Sequence, residues 1–494
     1  MPLAHESHVS ALSVNVAGRP SVARHDYPAP AGDRHLAIQT VGSVHHGAVL
    51  GPGASSVSDN VVVRENDILI VDRGCHHVQD QNWHRDESCN ARTDRNHPWA
   101  PTLPCYCRPV RSLGSKLPST GVSVFAEMTR LANEHGAINL SQGFPDFECA
   151  PTLVEAVAQR MREGHNQYVS MLGVSELRQA LATKIERLYG HRYDPATEIT
   201  ITAGATEGLF STLMALVHPG DEVVMFEPAY DAYAPAVQLA GGTPVFATLR
   251  FPDYRIDWDE VRALVTPRTR VMLINSPHNP TGTLLTGDDL RALARLLEET
   301  DALVVADEVY EHIVFDGKRH LSVCGHPAIA ARAVVVSSFG KTYHTTGWKV
   351  GYCSAPAPIS AEIQRVHQFV TFSVNGAVQL AYADVVAADP ESREVGRFYQ
   401  QKRDRFLALL AGSAFRPLAC QGTFFQLVDY SALTREGDAD FAMRLVRTQG
   451  LAAIPLSPFL YTTASDQVLR FCFAKRDQTL VEAAERLCAL TPID

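Results

Sequence analysis

Lys341 is the residue of this 494-residue chain best placed for covalent chemistry. A β-branched run, Val334-Val335-Val336, leads through Ser337, Ser338, Phe339 and Gly340 to it. A lysine at the mouth of a buried strand can be desolvated, lose its proton and form a Schiff base with an aldehyde. Further on, Lys349 sits between Trp348 and Val350. A strand bringing Lys349 to the same pocket would supply a counter-ion for a phosphate. The competing reading is an ordinary surface loop with two lysines, and context must decide between them.

The context is a series of strands that each end in a polar group. The pattern predicts strands at Ile199–Thr202 and at 222–226, 243–247, 270–274, 303–306 and 334–336, alternating with helices. That alternation predicts an α/β domain with a mainly parallel sheet. The first strand runs into Ala203-Gly204-Ala205-Thr206 before a helix expected at 209–217. Small residues there make an anion site from free N–H groups and the positive helix end, although packing alone also selects small residues. The second strand ends near Tyr230, either a plain rim tyrosine or a ring that stacks on a planar ligand. Asn275-Ser276-Pro277-His278-Asn279-Pro280 is a loop stiffened by prolines and holds two side-chain amides, Asn275 and Asn279, at a strand end. Asp307 closes an apolar strand, so it needs a partner or a ligand, and Tyr310 follows it. In open α/β sheets, ligands bind outside the carboxyl ends of the strands. The convergence of Thr206, Tyr230, Asn279, Asp307, Ser338 and Lys341 there is more informative than any one motif.

Flanking elements complete the frame. Helices are expected at 122–133, 151–162 and 174–188, with Gly143 in a tight turn of 138–147 where backbone can approach a ligand. After Tyr352 helices dominate (358–368, 376–387, 391–411), followed by strands at 422–428, 452–455 and 468–473 and helices at 438–448 and 478–490. Arg470 sits mid-strand. It is either an internal ion pair with an Asp or Glu, or a guanidinium that takes a carboxylate in two-point fashion.

A net charge of -10 argues against a general nucleic-acid binder. No apolar run of about 20 residues predicts a transmembrane helix, and no secretory signal is visible. Ten cysteines without a short disulfide framework fit reduced thiols in a cytoplasmic protein. Composition changes near residue 112. There is no lysine before Lys116, and half of the twenty histidines precede that point. Residues 1–112 therefore read as a low-order extension, or as sequence from an upstream start codon outside the functional protein. Their one strand signal is a short hairpin of 61–63 and 68–71 about Glu65-Asn66-Asp67. His76, His77, Cys105 and Cys107 match no zinc spacing, and no metal is expected.

The stretches NLSQGFPDF, TAGATEGLF, EPAYDAYAPA, NSPHNPTG, ADEVYEHI, SSFGKTYHTTGWKVGYC and LRFCFAKR, in that order, resemble the fold-type I, pyridoxal-phosphate-dependent aminotransferases of class I/II. The likeness runs from about Ser115 to the C-terminus. It is nearest to the bacterial methionine aminotransferases, then to the kynurenine aminotransferase/glutamine transaminase K branch. It implies a large cofactor domain (151–356), a smaller α+β domain (357–494) and an N-terminal arm with the substrate loop (113–150). It also implies pyridoxal 5′-phosphate held by Lys341 as an internal aldimine, with Lys341 then moving the proton between Cα and C4′. Asp307 would pair with the pyridine nitrogen, Tyr310 and Asn279 with the ring oxygen, and Tyr230 with the ring face. Gly204, Ala205, Thr206, Ser338 and Lys349 would bind the phosphate. Arg470 would clamp the substrate carboxylate, with Gly143 and Asn279 beside it. Tyr168 would come from the other subunit of a homodimer, and Phe372 lies in the segment that bears on specificity. Kynurenine-type relatives tend to carry histidine after the residue matching Phe372; here it is Ser373. The implied reaction is ping-pong transfer from methionine, or another bulky apolar or aromatic amino acid, to a 2-oxo acid. The rival readings are kynurenine transamination, β-elimination on cysteine S-conjugates and a non-catalytic sensor. The last predicts a basic DNA-binding domain that residues 1–110 do not resemble.

Overall fold

The computed structural model describes Val61–Arg64, Asp67–Ile70 and residues 114–492, apart from 119, 390, 391 and 463–465. The chain divides into two units, Met1–Tyr106 and Cys107–Asp494. In the first, Val61–Arg64 pairs antiparallel with Asp67–Ile70, so Asp67, read as part of the link, belongs to a strand. The expectations of low order and of no metal at His76, His77, Cys105 and Cys107 fall outside the described residues. Among the described residues, no group of His, Cys, Asp or Glu is arranged to hold a metal, and no helix is long and apolar enough to cross a membrane.

The second unit is built on a seven-stranded sheet. Its spatial order is Ile199–Thr202, Gly351–Ser354, Ala333–Ser338, Leu303–Asp307, Thr269–Asn275, Glu222–Glu227, Thr243–Thr248. Gly351–Ser354 runs antiparallel to both neighbours and the others run parallel. The central strands are continuous buried apolar runs, as strands covered on both faces must be. Register brings their carboxyl ends level: Asn275 stands opposite Asp307, and Asp307 opposite Val336, two residues before Ser338.

Three local differences from the sequence reading shape the site. The helix expected at 209–217 begins at Ala205, so Ala205 and Thr206 lie in its first turn and Gly204 is its N-cap, with φ 79°. A helix not read from the sequence, Tyr233–Leu239, follows the second strand. Its Pro235 falls within the first turn, where a missing N–H costs nothing. Lys349 lies on no strand. A 3₁₀ turn, Thr346–Trp348, delivers it in a left-handed conformation with φ 52°. The strand begins only at Gly351, where a Cβ would stand 2.7 Å from the Ser337 carbonyl and 2.8 Å from the Ala205 amide nitrogen. Only glycine permits that approach, and it puts Lys349 beside the start of the helix.

A four-stranded antiparallel sheet follows, in the order Arg416–Pro417, Phe425–Asp429, Val468–Cys472, Ile454–Pro455. The strand read at 452–455 is two pieces. Ile454–Pro455 joins this sheet, whereas Leu451–Ala452 pairs in parallel with Ile138–Asn139. That second pairing ties the stretch before Gly143 to the C-terminal part of the chain. Cys472 N donates to Leu140 O (2.8 Å), Lys475 Nζ to Phe144 O (2.8 Å) and Thr479 Oγ1 to Asp146 Oδ2 (2.7 Å). The turn around Gly143 is thereby held over the strand ends.

Candidate active site

One cavity, with an empty volume of about 990 Å³ including its open mouth, lies at the carboxyl ends of the parallel strands. Gly143, Gly204, Ala205, Thr206, Tyr230, Asn279, Asp307, Tyr310, Ser338, Lys341, Lys349 and Arg470 all line it. Of the residues that the family likeness assigns to the site, Tyr168 and Phe372 do not.

Lys341 stands on the short helix Phe339–Thr342, capped by Ser338, whose hydroxyl accepts from Gly340 N (3.2 Å). Its Nζ donates to Gly143 O at 3.2 Å and lies over the Phe424 and Tyr310 rings, 5.3 and 5.6 Å from their centres. Burial lowers its pKa to about 8. Cys472 opposes this shift, the Lys349 and Arg470 cations add to it, and Asp307 opposes it. About a tenth of Lys341 is therefore a neutral amine at pH 7 and about half at pH 8, far more than for an ordinary lysine, and the neutral amine is the form that attacks.

Asp307 is the one carboxylate on the cavity wall among the described residues. Its Oδ2 accepts from the Tyr233 hydroxyl at 2.6 Å and its Oδ1 from Val309 N at 3.2 Å. Burial raises its pKa to about 6, against Tyr233, the Val309 amide and Lys341. Asn275 braces the neighbouring loop: its Nδ2 donates to Asp307 O (2.8 Å) and its Oδ1 accepts from Asn279 N (2.7 Å).

Arg470 has no exposed surface. Nη1 donates to Asn279 Oδ1 (2.8 Å), Nη2 donates to Ser141 O (3.1 Å), and Nε has no partner. The guanidinium carbon lies 3.9 Å from the centre of the Phe425 ring and 5.1 Å from that of Phe125. Burial lowers its pKa to about 10. Among the described residues it forms no ion pair with a carboxylate, which removes the internal-pair reading. A buried guanidinium left without an anion on the edge of a cavity is suited to receive one.

Opposite, the first turn of the helix Ala205–Leu216 meets Lys349. A Cβ on Gly204 would come within 3.3 Å of Lys349 Nζ, so the glycine leaves room for an anion's contacts as well as for its own backbone angle. Tyr230 leans over this corner. Burial raises its phenol to about 12, with Asp231 and Asp307 adding to the shift and Thr206 and Arg470 opposing it.

Tyr168 and Phe372 stand apart, edge to face at 5.3 Å, 82% and 50% exposed. Ser373 Oγ donates to Val169 O (3.0 Å), tying the two segments together outside the cavity. Asn275, the second amide of the proline-stiffened loop, also lines the site, as do Tyr233, Phe125 and Phe425, which sequence reasoning missed. Tyr233 follows Tyr230 by three residues, a spacing that places both on one side of a helix start. Phe125 lies on the helix expected at 122–133, among apolar residues at helical spacing.

The family model for aminotransferase class I and II matches residues 135–487. The chain belongs to this family. It is an aminotransferase, of a family that works with pyridoxal phosphate. Methionine aminotransferase of Escherichia coli is 51% identical over 374 residues, covering 76% of this chain and 97% of that one. Kynurenine–oxoglutarate transaminase 1 of Mus musculus is 33% identical over 402 residues, covering 74% and 94%. A solved structure of the Escherichia coli methionine aminotransferase superposes with a TM-score of 0.75 at 50% identity, covering 76% of this aminotransferase and 99% of its own chain. The solved N-succinyldiaminopimelate aminotransferase of Mycobacterium tuberculosis superposes at 0.74 and 38%, covering 77% and 100%. The expected fold-type I architecture is thus established.

Proposed function

We propose that this aminotransferase binds pyridoxal 5′-phosphate in the cavity and moves the amino group of methionine, or of another bulky apolar or aromatic amino acid, to a 2-oxo acid. The observation that carries the reading is the distribution of charge. One carboxylate, Asp307, and three cations, Lys341, Lys349 and Arg470, line a single cavity, and Arg470 forms no ion pair among the described residues. The bound cofactor supplies a cationic ring that draws off the charge left at the substrate Cα.

The chain's own residues do the rest. Lys341 Nζ carries the cofactor and moves the proton at Cα. Asp307 keeps a proton on the ring nitrogen. Tyr310 and Asn279 bond the ring oxygen, and Tyr230 covers the ring face. The Gly204, Ala205 and Thr206 turn, Ser338 and Lys349 hold the phosphate. Arg470, beside Gly143 and Asn279, takes the substrate carboxylate in a two-point contact. Tyr168 and Phe372 serve the site of a second copy in a homodimer. Residues 151–356 hold the cofactor, 357–494 carry the carboxylate clamp, and 113–150 form the arm. We place the enzyme in the cytoplasm on its cysteine usage.

Methionine is favoured by the 51% identical Escherichia coli relative and by Ser373 where kynurenine-type relatives tend to have histidine. The test is a panel of amino donors, kynurenine and a cysteine S-conjugate among them, with several 2-oxo acids and added cofactor. Methionine or a similar donor should be the best substrate. Pyruvate and ammonia from the conjugate without any transamination would overturn the assignment.

A further inference from the structure

We propose that Tyr233 is a positioning residue for the cofactor: its hydroxyl holds the Asp307 carboxylate as an anion and turns it toward the ring nitrogen. The inference rests on the pyridoxal-phosphate reading above. Tyr233 is 4% exposed and opens the helix Tyr233–Leu239. Its backbone N donates to Tyr230 O (3.1 Å), and the two rings meet edge to face at 5.5 Å. The same helix start thus places Tyr230 above the cavity and the Tyr233 hydroxyl 2.6 Å from Asp307 Oδ2.

A buried carboxylate with too few donors takes a proton. A protonated Asp307 could no longer stabilise a cationic ring. Asp307 receives one backbone donor, Val309 N, and one side-chain donor, Tyr233. The other titratable groups that act on it are Lys341 from the next strand end, Tyr230 from the helix start, and Glu308 and Tyr310 on its own segment. Of these only Lys341 favours the anion electrostatically, and its free amine is consumed when it carries the cofactor. Tyr233 is itself fully packed, and burial followed by Asp307 holds its phenol well above the ordinary range, so it remains a donor at any working pH. With burial already lifting Asp307 to about 6, loss of the Tyr233 donor moves its titration upward, toward neutrality.

The test is cofactor binding by the apoenzyme, followed by absorbance from about pH 5.5 to 9. Tyr233→Phe should weaken binding roughly tenfold to a hundredfold at pH 7, the worth of a hydrogen bond to a charged group. The acid-side midpoint should shift to higher pH, with the deficit narrowing toward pH 9. In an Asp307→Asn background the same substitution should change binding by less than about twofold, because its effect runs through the carboxylate. Unchanged binding, a loss independent of pH, or an equal loss in the Asp307→Asn background would each refute the role. Wild-type apoenzyme that takes up no cofactor would instead sink the cofactor reading itself.

Discussion

The cavity wall and the Tyr168–Phe372 flank are two regions of one chain built on opposite terms. On the wall, Arg470, Asp307 and Lys341 each have support within the chain. Arg470 is fully buried and bonded to Asn279 and Ser141, Asp307 is 4% exposed and held by Tyr233, and Lys341 is bonded to Gly143. On the flank, Tyr168, Phe372 and nearby Phe369 are 82%, 50% and 88% exposed, although aromatic side chains gain most from burial. Clustered apolar exposure of this kind marks a contact surface. The contrast fits the proposed arrangement, in which a single chain completes the pocket for the ring, the phosphate and the carboxylate. In that proposal the wall for the substrate side chain would come from another copy, through Tyr168 and Phe372.

The strongest way to separate the two regions is to disable one and watch the other. Lys341→Ala should lower transamination by about 10⁴-fold or more, since covalent attachment and proton transfer are lost together. Its oligomeric state, read by light scattering, should match wild type, because Lys341 lies in the cavity and not on the flank. A variant that still transaminates at a comparable rate breaks the reading of the wall. One that also falls apart into monomers breaks the separation of the two regions.

How far each region was legible in the sequence follows the same division. The wall was legible because parallel strands buried on both faces are unbroken apolar runs, so the polar residue that ends each run stands out: Asp307 after Val304-Val305-Ala306, Ser338 after Val334-Val335-Val336. Sheet register then brings those ends level. Less legible were groups whose place depends on contacts distant in sequence. Tyr233 meets Asp307 across 74 positions, and its helix is too short to show a period. Lys349 owes its position to a left-handed turn and to the close approach at Gly351, neither of which a hydrophobic pattern encodes. Phe125 has the spacing of a core residue because most of its helix is one. For the flank, no periodicity within a chain distinguishes a solvated aromatic from one covered by a second copy, so only family likeness points to Tyr168 and Phe372.

The flank has its own test, of smaller effect. Tyr168→Ala should reduce kcat/KM for the amino donor about tenfold, the scale of one aromatic contact. If Tyr168 serves the partner's site, mixing inactive Lys341→Ala chains with Tyr168→Ala chains, followed by subunit exchange, should restore activity. Each mixed dimer then pairs an intact Lys341 in one copy with an intact Tyr168 from the other. Activity that remains the plain sum of the two variants would show that Tyr168 acts in its own chain or not at all.

The smallest expected effect concerns the wall alone and is a pH dependence. Lys341 attacks as a neutral amine, and its pKa is lowered to about 8 chiefly by burial. A lowered lysine pKa means that the reactive form prevails above about pH 8 and not only above the ordinary value near 10.4. The rate at which apoenzyme captures the cofactor should therefore rise about fivefold from pH 7 to 8 and less than about twofold from pH 8 to 9, then level off. Replacing Lys349 by Met removes a neighbouring cation that helps lower this pKa, so the plateau should begin at higher pH. Tyr168→Ala should leave the profile where it was, because Tyr168 is not among the groups that set the Lys341 shift. A capture rate still climbing steeply at pH 10 in wild type would mean that Lys341 is solvated as an ordinary lysine, and the desolvated wall on which the whole contrast depends would fail with it.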